Sequence, residues 1–338
     1  MLKLMNVWFN RQWQSLGLAH IILIPFSWLF GALITARRCL YEHQILKSFR
    51  LPVPVIVVGN ISVGGTGKTP MVIYLAKQLK QMGYAPGVIS RGYGGNNVGE
   101  VTANSNASEF GDEPVLIAKR STCPVWVNPD RVEAGRALLL EHPECNVIIS
   151  DDGLQHYRLQ RSIELVMVDS EHSFGNECLL PAGPLREKMA RLQTVDVIVD
   201  SNQAFNSKDN LPPVFSMQLQ GNIFESVDGT QAQQPASYFA DKNLVALAGI
   251  GNPVRFFKHL AKLGLQFERV VFGDHHAFAM QDFAPYMNRT ILMTEKDAVK
   301  CKMFGLADAW YLPVTAQISG ENNNKLIEII QKKLKTLD

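Results

Sequence analysis

The sequence lacks most of what marks a nucleic-acid-binding, disulfide-stapled or zinc-bearing protein. Its 33 Lys and Arg against 31 Asp and Glu leave a net charge of +2. The basic residues are neither gathered into one run nor interleaved with aromatics, so nucleic acid is not expected as a partner. Five cysteines occur in 338 residues: Cys39, Cys123, Cys145, Cys178 and Cys301. None forms a CxxC pair, and an odd, scattered set is a poor disulfide framework; they read as reduced thiols serving as small hydrophobes. No His or Cys spacing makes a zinc site, and no Gly-x-Ser-x-Gly elbow marks a serine hydrolase. Internal repeats and low-complexity tracts are absent, and 46% hydrophobic with 19% charged residues describes a globular chain, not a disordered one. Its length exceeds what a single core usually supports, which favours two domains.

One absence is local. From Gln12 to Ala36 there is no Lys, Arg, Asp or Glu, and Leu16 to Ile34 is mostly apolar, close to the ~20 residues that cross a bilayer's hydrocarbon core. No small-residue cleavage site follows, as a removable signal peptide would need. Trp8, Trp13 and Trp28 suit an interface; His20 and Pro25 count against a span, although membrane helices tolerate proline. Lys3 and Arg11 precede the stretch, whereas Arg37, Arg38, Lys47 and Arg50 follow it, a slight bias that puts the next domain in the cytoplasm. Residues 1–50 therefore read as a membrane-anchoring helical segment, spanning or embedded in one leaflet, with a buried amphipathic core helix as the alternative.

Beyond it, buried-type strands alternate with helices. Val53 to Val58 is a β-branched strand, a Gly-rich turn follows, and Pro70 to Met82 is a helix with proline in its first turn. Further strands are expected at Gly87 to Ser90, Val125 to Val127, Val147 to Ile149, Leu165 to Val168 and Val195 to Val199, with helices over Asp112 to Arg120 and Arg131 to Leu140. This alternation implies a parallel sheet covered on both faces. Composition shifts to Asn, Gln, Ser, Pro and Gly around residues 206–230, read as a connection. A second alternation follows: strands at Leu244 to Ala248, Arg269 to Phe272 and Thr290 to Thr294, and helices at Val254 to Leu263 and Lys325 to Leu337. The expected fold is α/β: a P-loop-type parallel-sheet domain over 51–205, a smaller α/β domain over 231–338, and the N-terminal membrane-associated helix.

The strongest local signal is Ser62-Val63-Gly64-Gly65-Thr66-Gly67-Lys68-Thr69. In a P-loop, backbone N–H groups cradle phosphates, the lysine reaches the β/γ oxygens, and the threonine holds Mg²⁺. Ser62 departs from the usual first glycine, but the loop follows an apolar strand and opens a helix, whose positive end faces the phosphates. Asp151 and Asp152 end a second apolar strand, where carboxylates meet nucleotide and metal. An Asp-Asp-Gly turn alone is weak; beside a P-loop it reads as a metal site, with either carboxylate able to serve.

Gly59-Asn60, SVGGTGKTP, SRGYGG, GDEP, DRVEAG, DDGLQH, PAGPLRE, the Asp274-His275-His276 element and TEKDAVK recur in order from about Val55 to Lys300. Together they resemble the tetraacyldisaccharide 4′-kinase family, the lipid A 4′-kinases. That resemblance implies ATP as co-substrate with Mg²⁺, a lipid A disaccharide precursor as acceptor, and a place at the cytoplasmic face of a Gram-negative inner membrane. No obligate protein partner is implied. It makes Asp112 the base, assisted by His275 rather than His276 because the family's pattern is Asp-His followed by a variable residue. Lys68 and Arg131 join the catalytic set, and Tyr93, His156, Arg186 and Glu187 lie near nucleotide or acceptor sugar. The competing class is a regulatory P-loop ATPase that positions a partner or delivers a metal, although neither a second trans-acting lysine nor a metal-delivery cysteine motif is present. A membrane scaffold with a silent P-loop fits less well, since Lys68, Thr69 and Asp151 are all retained.

Overall fold

Apolar runs too short for helices pair in parallel, and helices cover both of the faces they leave. The structure, a computed structural model, describes residues 13, 17, 19–170, 174–202, 205 and 210–335. Lys3, Trp8 and Arg11, expected to flank or belong to the anchor, lie outside the described residues. The strands are β1 (Val55–Gly59), β2 (Pro86–Ser90), β3 (Gly99–Val101), β4 (Val125–Val127), β5 (Val147–Asp151), β6 (Ile163–Val168), β7 (Val197–Asp200), β8 (Val214–Gln220), β9 (Ile223–Ser226), β10 (Gln234–Pro235), β11 (Leu244–Ala248), β12 (Phe267–Val271), β13 (Thr290–Thr294), β14 (Ala309–Leu312) and β15 (Thr315–Ile318).

A nine-stranded sheet runs β15-β8-β7-β6-β1-β5-β2-β4-β3, and a six-stranded sheet runs β10-β9-β14-β13-β11-β12. The stretch from β8 to β4 is parallel, with β15 and β3 added antiparallel at its edges. Every residue of β1 and β5 is buried, as a sheet covered on both faces requires. Their register sets Val58 beside Asp151, so the P-loop and the acidic pair leave the sheet side by side at its carboxyl edge, where ligands bind in such folds. In the smaller sheet β12, β11, β13 and β14 are parallel, and their carboxyl ends face the same cleft.

Two readings of the chain change. Residues 206–230, expected as a connection, hold β8 in the large sheet and β9 in the small one; Phe215 and Met217 are buried at alternate positions of β8, while Ser216 and Gln218 beside them are polar. A half-buried strand, second from the edge of the sheet, carries that diluted pattern, which composition reads as loop. The expected closing helix forms as Gly320–Lys335, but its Leu326, Ile330 and Leu334 join the core of the large sheet, beside Ile318 of β15. The chain therefore returns to its first unit, through pairing of β15 with β8.

The N-terminal helix, Ala19–Glu42, contains Pro25, and residues 21–42 are long and apolar enough to cross a membrane by length and composition. Little of its apolar stretch, 11%, is buried, unlike a helix inside a protein core. Ile21, Ile22, Phe26, Trp28, Leu29 and Leu33 are exposed. The small residues Ser27 and Gly31 dock on the large unit: Ser27 Oγ donates to the Leu179 carbonyl at 2.7 Å, and a Cβ at Gly31 would lie 2.7 Å from Leu179 Cδ1.

Candidate active site

The P-loop takes its shape from its neighbours. Ser62 forms an antiparallel bridge with Leu185, and the Val63 N–H donates to the Pro184 carbonyl at 2.8 Å. The first loop position is thus extended and paired, not left-handed, so a serine fits where other P-loops have glycine. Gly67 is different: as N-cap of the Lys68–Gln81 helix it has φ +88°, which side-chain-bearing residues rarely adopt. The helix opens with Lys68 and Thr69 in its first turn, its free N–H groups aimed at the loop.

At the end of β5 the two aspartates separate. Asp152 adopts φ +47° and turns toward the loop, with Lys68 Nζ 3.6 Å from Oδ1 and Arg186 Nη1 3.0 Å from both oxygens. Burial works against its charge, but Lys68 and Arg186 outweigh that and hold the carboxyl at about 2. Asp151 is buried; Ser90 Oγ donates to Oδ2 at 3.2 Å, and Oδ1 has no hydrogen-bond partner. Burial, with Glu113 and Asp152 close by, pushes its carboxyl up to about 7. A buried, unpartnered carboxylate oxygen beside the P-loop fits an oxygen-liganded cation. Among the described residues no cluster of three His, Cys, Asp or Glu gathers for a metal, so a cation here would draw on nucleotide and water as well, as Mg²⁺ does.

Arg131 starts its helix, an unfavourable place for a cation next to the helix dipole. Its guanidinium is spent inward: it is buried and donates to the Pro129 carbonyl at 3.3 Å and the Asp151 carbonyl at 3.5 Å. Burial brings it down to about 10, which keeps it charged at neutral pH. His156 lies 3.7 Å from Asp130; burial and the charges of Arg131, Arg161 and Arg37 bring it down to about 4, so its ring is neutral. Arg37 belongs to the N-terminal helix, which places His156 on the side facing that helix. Glu187 does not project into the cleft: it is buried, accepting from Tyr157 Oη at 2.5 Å and Gln155 Nε2 at 2.8 Å, with Arg191 3.4 Å away.

The smaller unit brings the other half. His275, with φ +53°, places Nδ1 3.2 Å from both oxygens of Asp112, the first residue of the Asp112–Ser121 helix, and Tyr93 packs on its ring at 4.6 Å between centroids. Asp112 and His275 thus meet across the cleft, at a backbone angle that strains a non-glycine residue and that functional sites often hold. Burial would raise the Asp112 carboxyl, but the His275 hydrogen bond and Lys296 hold it below the usual range. Burial would lower His275; its bond to Asp112 wins and raises it. Lys296 lies 3.0 Å from Glu113, 3.6 Å from Asp274 and 4.0 Å from Asp112.

A cleft of about 790 Å³ lies between the units, lined by Val63 to Thr69, Asp152, Arg186, Tyr93 and His275, and opposite them by Gly251, Asn252, Arg255, Lys258 and His259. Asp112, Asp151 and Arg131 stand behind this lining, and His156 and Glu187 lie outside it. The turn after β11 rests on the P-loop: a Cβ at Gly251 would lie 2.8 Å from the Gly65 nitrogen, too close for the backbone to yield cheaply. Gly251→Ala is therefore expected to wedge the units apart, raising the Kd for ATP about tenfold, the equivalent of a 1.4 kcal/mol penalty. Isothermal titration would check this, and unchanged binding would show that the cleft opens at no cost. The residues of this turn, and Lys296 and Glu113, were not among the expected site residues. The signal for them was a Gly-rich turn after a strand and a charged run after another, each weak alone.

A family model described as tetraacyldisaccharide-1-P 4′-kinase matches residues 19–335. Curated relatives named tetraacyldisaccharide 4′-kinase include one from Methylobacillus flagellatus, 47% identical with 95% of each chain covered, and one from Azoarcus sp., 48% identical with 94% of each covered. Among solved structures, LpxK from Aquifex aeolicus in complex with ATP is 31% identical, with a TM-score of 0.79 over 94% of this chain and 100% of that one.

Proposed function

The chain belongs to the tetraacyldisaccharide-1-P 4′-kinase family, and we propose that it transfers the γ-phosphoryl group of ATP to the 4′-hydroxyl of a lipid A disaccharide 1-phosphate at a membrane surface. The observation that carries this reading is the meeting of two half-sites in one cleft, the P-loop on one side and the Asp112–His275 pair completed from the other. Phosphoryl transfer needs alignment and charge neutralisation more than covalent chemistry. The P-loop N–H groups and Lys68 hold the phosphates, and Arg186 adds a second cation that Asp152 anchors. Asp112 accepts the acceptor hydroxyl's proton as the new P–O bond forms and the bond to ADP breaks; His275 orients that carboxylate. Arg131 supports the floor of the site through the Asp151 carbonyl. Thr69 with Asp151 or Asp152 would hold Mg²⁺, which supplies shielding of phosphate charge when bound. We read the two sheets as domains whose contact at the cleft excludes water that would otherwise hydrolyse ATP.

The exposed apolar helix supports a site at the inner membrane of a Gram-negative bacterium, with the cleft on the cytoplasmic face, so that the acceptor's acyl chains stay in the bilayer. We read His156, with Arg37 of the helix acting on it, as serving the acceptor side. Incubation of radiolabelled ATP with the disaccharide lipid tests the transfer: label on the lipid supports it, and label appearing only as free phosphate favours a regulatory ATPase. Replacing Ile22 and Leu29 by Asp tests the anchor without touching the cleft. Each charge costs about 2.5–3.5 kcal/mol at the centre of an inserted helix, so flotation with liposomes is expected to drop sharply while ATP binding stays. Undiminished flotation would place the contact elsewhere.

A further inference from the structure

Behind the base lies a buried ion pair that the reaction outlined above does not use. Lys300 Nζ lies 2.8 Å from Asp297 Oδ1, three residues earlier on the Glu295–Cys301 helix, and 3.8 Å from Asp112 Oδ2 across the interface. The Phe278 ring is 4.9 Å away, and the ammonium is buried without a hydrogen bond of ordinary geometry. Asp297 is fully buried; its other oxygen accepts the Gly249 N–H at 2.9 Å and the Thr294 hydroxyl at 2.7 Å. Gly249 opens the turn that rests on the P-loop. A buried Lys–Asp pair is a poor source of stability compared with apolar residues of the same volume, so packing alone does not account for it.

We propose that Lys300, held in place by Asp297, is a positioning residue for Asp112, keeping its carboxylate ionised and aimed when the Gly249–Asn252 turn is seated on the P-loop. This rests on the reading of Asp112 as the base. The groups facing Asp112 are His275, Lys296 and Lys300 from the smaller unit and Glu113 beside it, whose N–H donates to Asp112 Oδ1 at 2.8 Å. Lys296 is shared among the carboxylates of Glu113, Asp274 and Asp112, whereas among the described residues Lys300 pairs with those of Asp112 and Asp297. One carboxylate, Asp297, thus touches both the turn that meets the nucleotide loop and the cation that meets the base.

The test is the pH dependence of kcat for the full chain in detergent micelles with the lipid acceptor. Asp112 must be ionised to act, and an opposite charge nearby lowers its pKa, so removing that charge moves the acid limb to higher pH. Lys300→Met is expected to shift the limb up by about one pH unit and to lower plateau kcat about tenfold, with the KM for ATP unchanged. Lys300→Arg is expected to restore the limb. Asp297→Asn, which keeps an acceptor for Gly249, is expected to move it to lower pH, because the cation then leans on Asp112 alone. If Lys300→Met does not fold, Lys300→Gln replaces it as the neutral variant. A fall in kcat with the limb unmoved, or an upward shift in Asp297→Asn, would overturn the proposal. Turnover surviving in Asp112→Asn would instead refute the base assignment, so the two failures are distinct.

Discussion

Asp112→Asn is expected to lower turnover on the lipid acceptor by about 10²- to 10⁴-fold, the span that a positioned general base supplies, while ATP affinity stays within a few-fold. The amide keeps the shape and can still accept from the Glu113 N–H, now 2.8 Å from Oδ1, but it cannot take a proton. It also loses the charge that pairs with His275 at 3.2 Å. ATP binding is spared because Asp112 stands behind the cleft lining that carries the P-loop. His275→Ala is expected to show a smaller loss of the same kind, on the proposal that the imidazole orients the base without accepting the proton itself. Rapid-quench measurement of the first turnover, with nucleotide affinity taken separately, separates chemistry from binding. A folded Asp112→Asn enzyme with near-normal first turnover would move the base elsewhere.

Lys68→Met is expected to cost about 10²- to 10³-fold in turnover, comparable to removing one preorganised donor from developing charge, and to weaken ATP binding as well. Lys68 has side-chain exposure of 10% and already stands 3.6 Å from Asp152. Its loss removes a cation from the phosphates and leaves Asp152 paired with Arg186, 3.0 Å away. The effect on both binding and turnover distinguishes this variant from Asp112→Asn. Arg186→Met tests the other side of the same carboxylate. Its loss is expected to be milder, because Arg186 neutralises the aspartate as well as lining the site. Equal ATP affinity in wild type and Lys68→Met would show that the loop's backbone alone retains the nucleotide.

Much of the frame could be read locally. The strand over Val125–Val127 and those over Leu244–Ala248 and Thr290–Thr294 lie where their largely apolar runs place them, because a strand covered on both faces carries few polar residues to blur it. The P-loop was legible for the same reason: strand, glycines, lysine and helix are consecutive. Strand β8 was not, since polar Ser216 and Gln218 alternate with its buried Phe215 and Met217. The role of Glu187 was also hidden, because a carboxylate in a Pro- and Gly-rich loop looks available until Tyr157, Gln155 and Arg191 close around it.

By itself, then, the sequence determined the phosphate-binding loop, the alternation that builds parallel sheets, and the apolar N-terminal stretch, all set by residues adjacent along the chain. The tertiary structure decided what surrounds each carboxylate. Asp151 and Asp152 are neighbours in sequence, yet one is buried with an unpartnered oxygen and the other turns out to Lys68 and Arg186. Asp112 acquires His275, Lys296 and Lys300 from residues more than 160 positions away. Charge, desolvation and hydrogen bonding act through space, and only the fold says which groups share it.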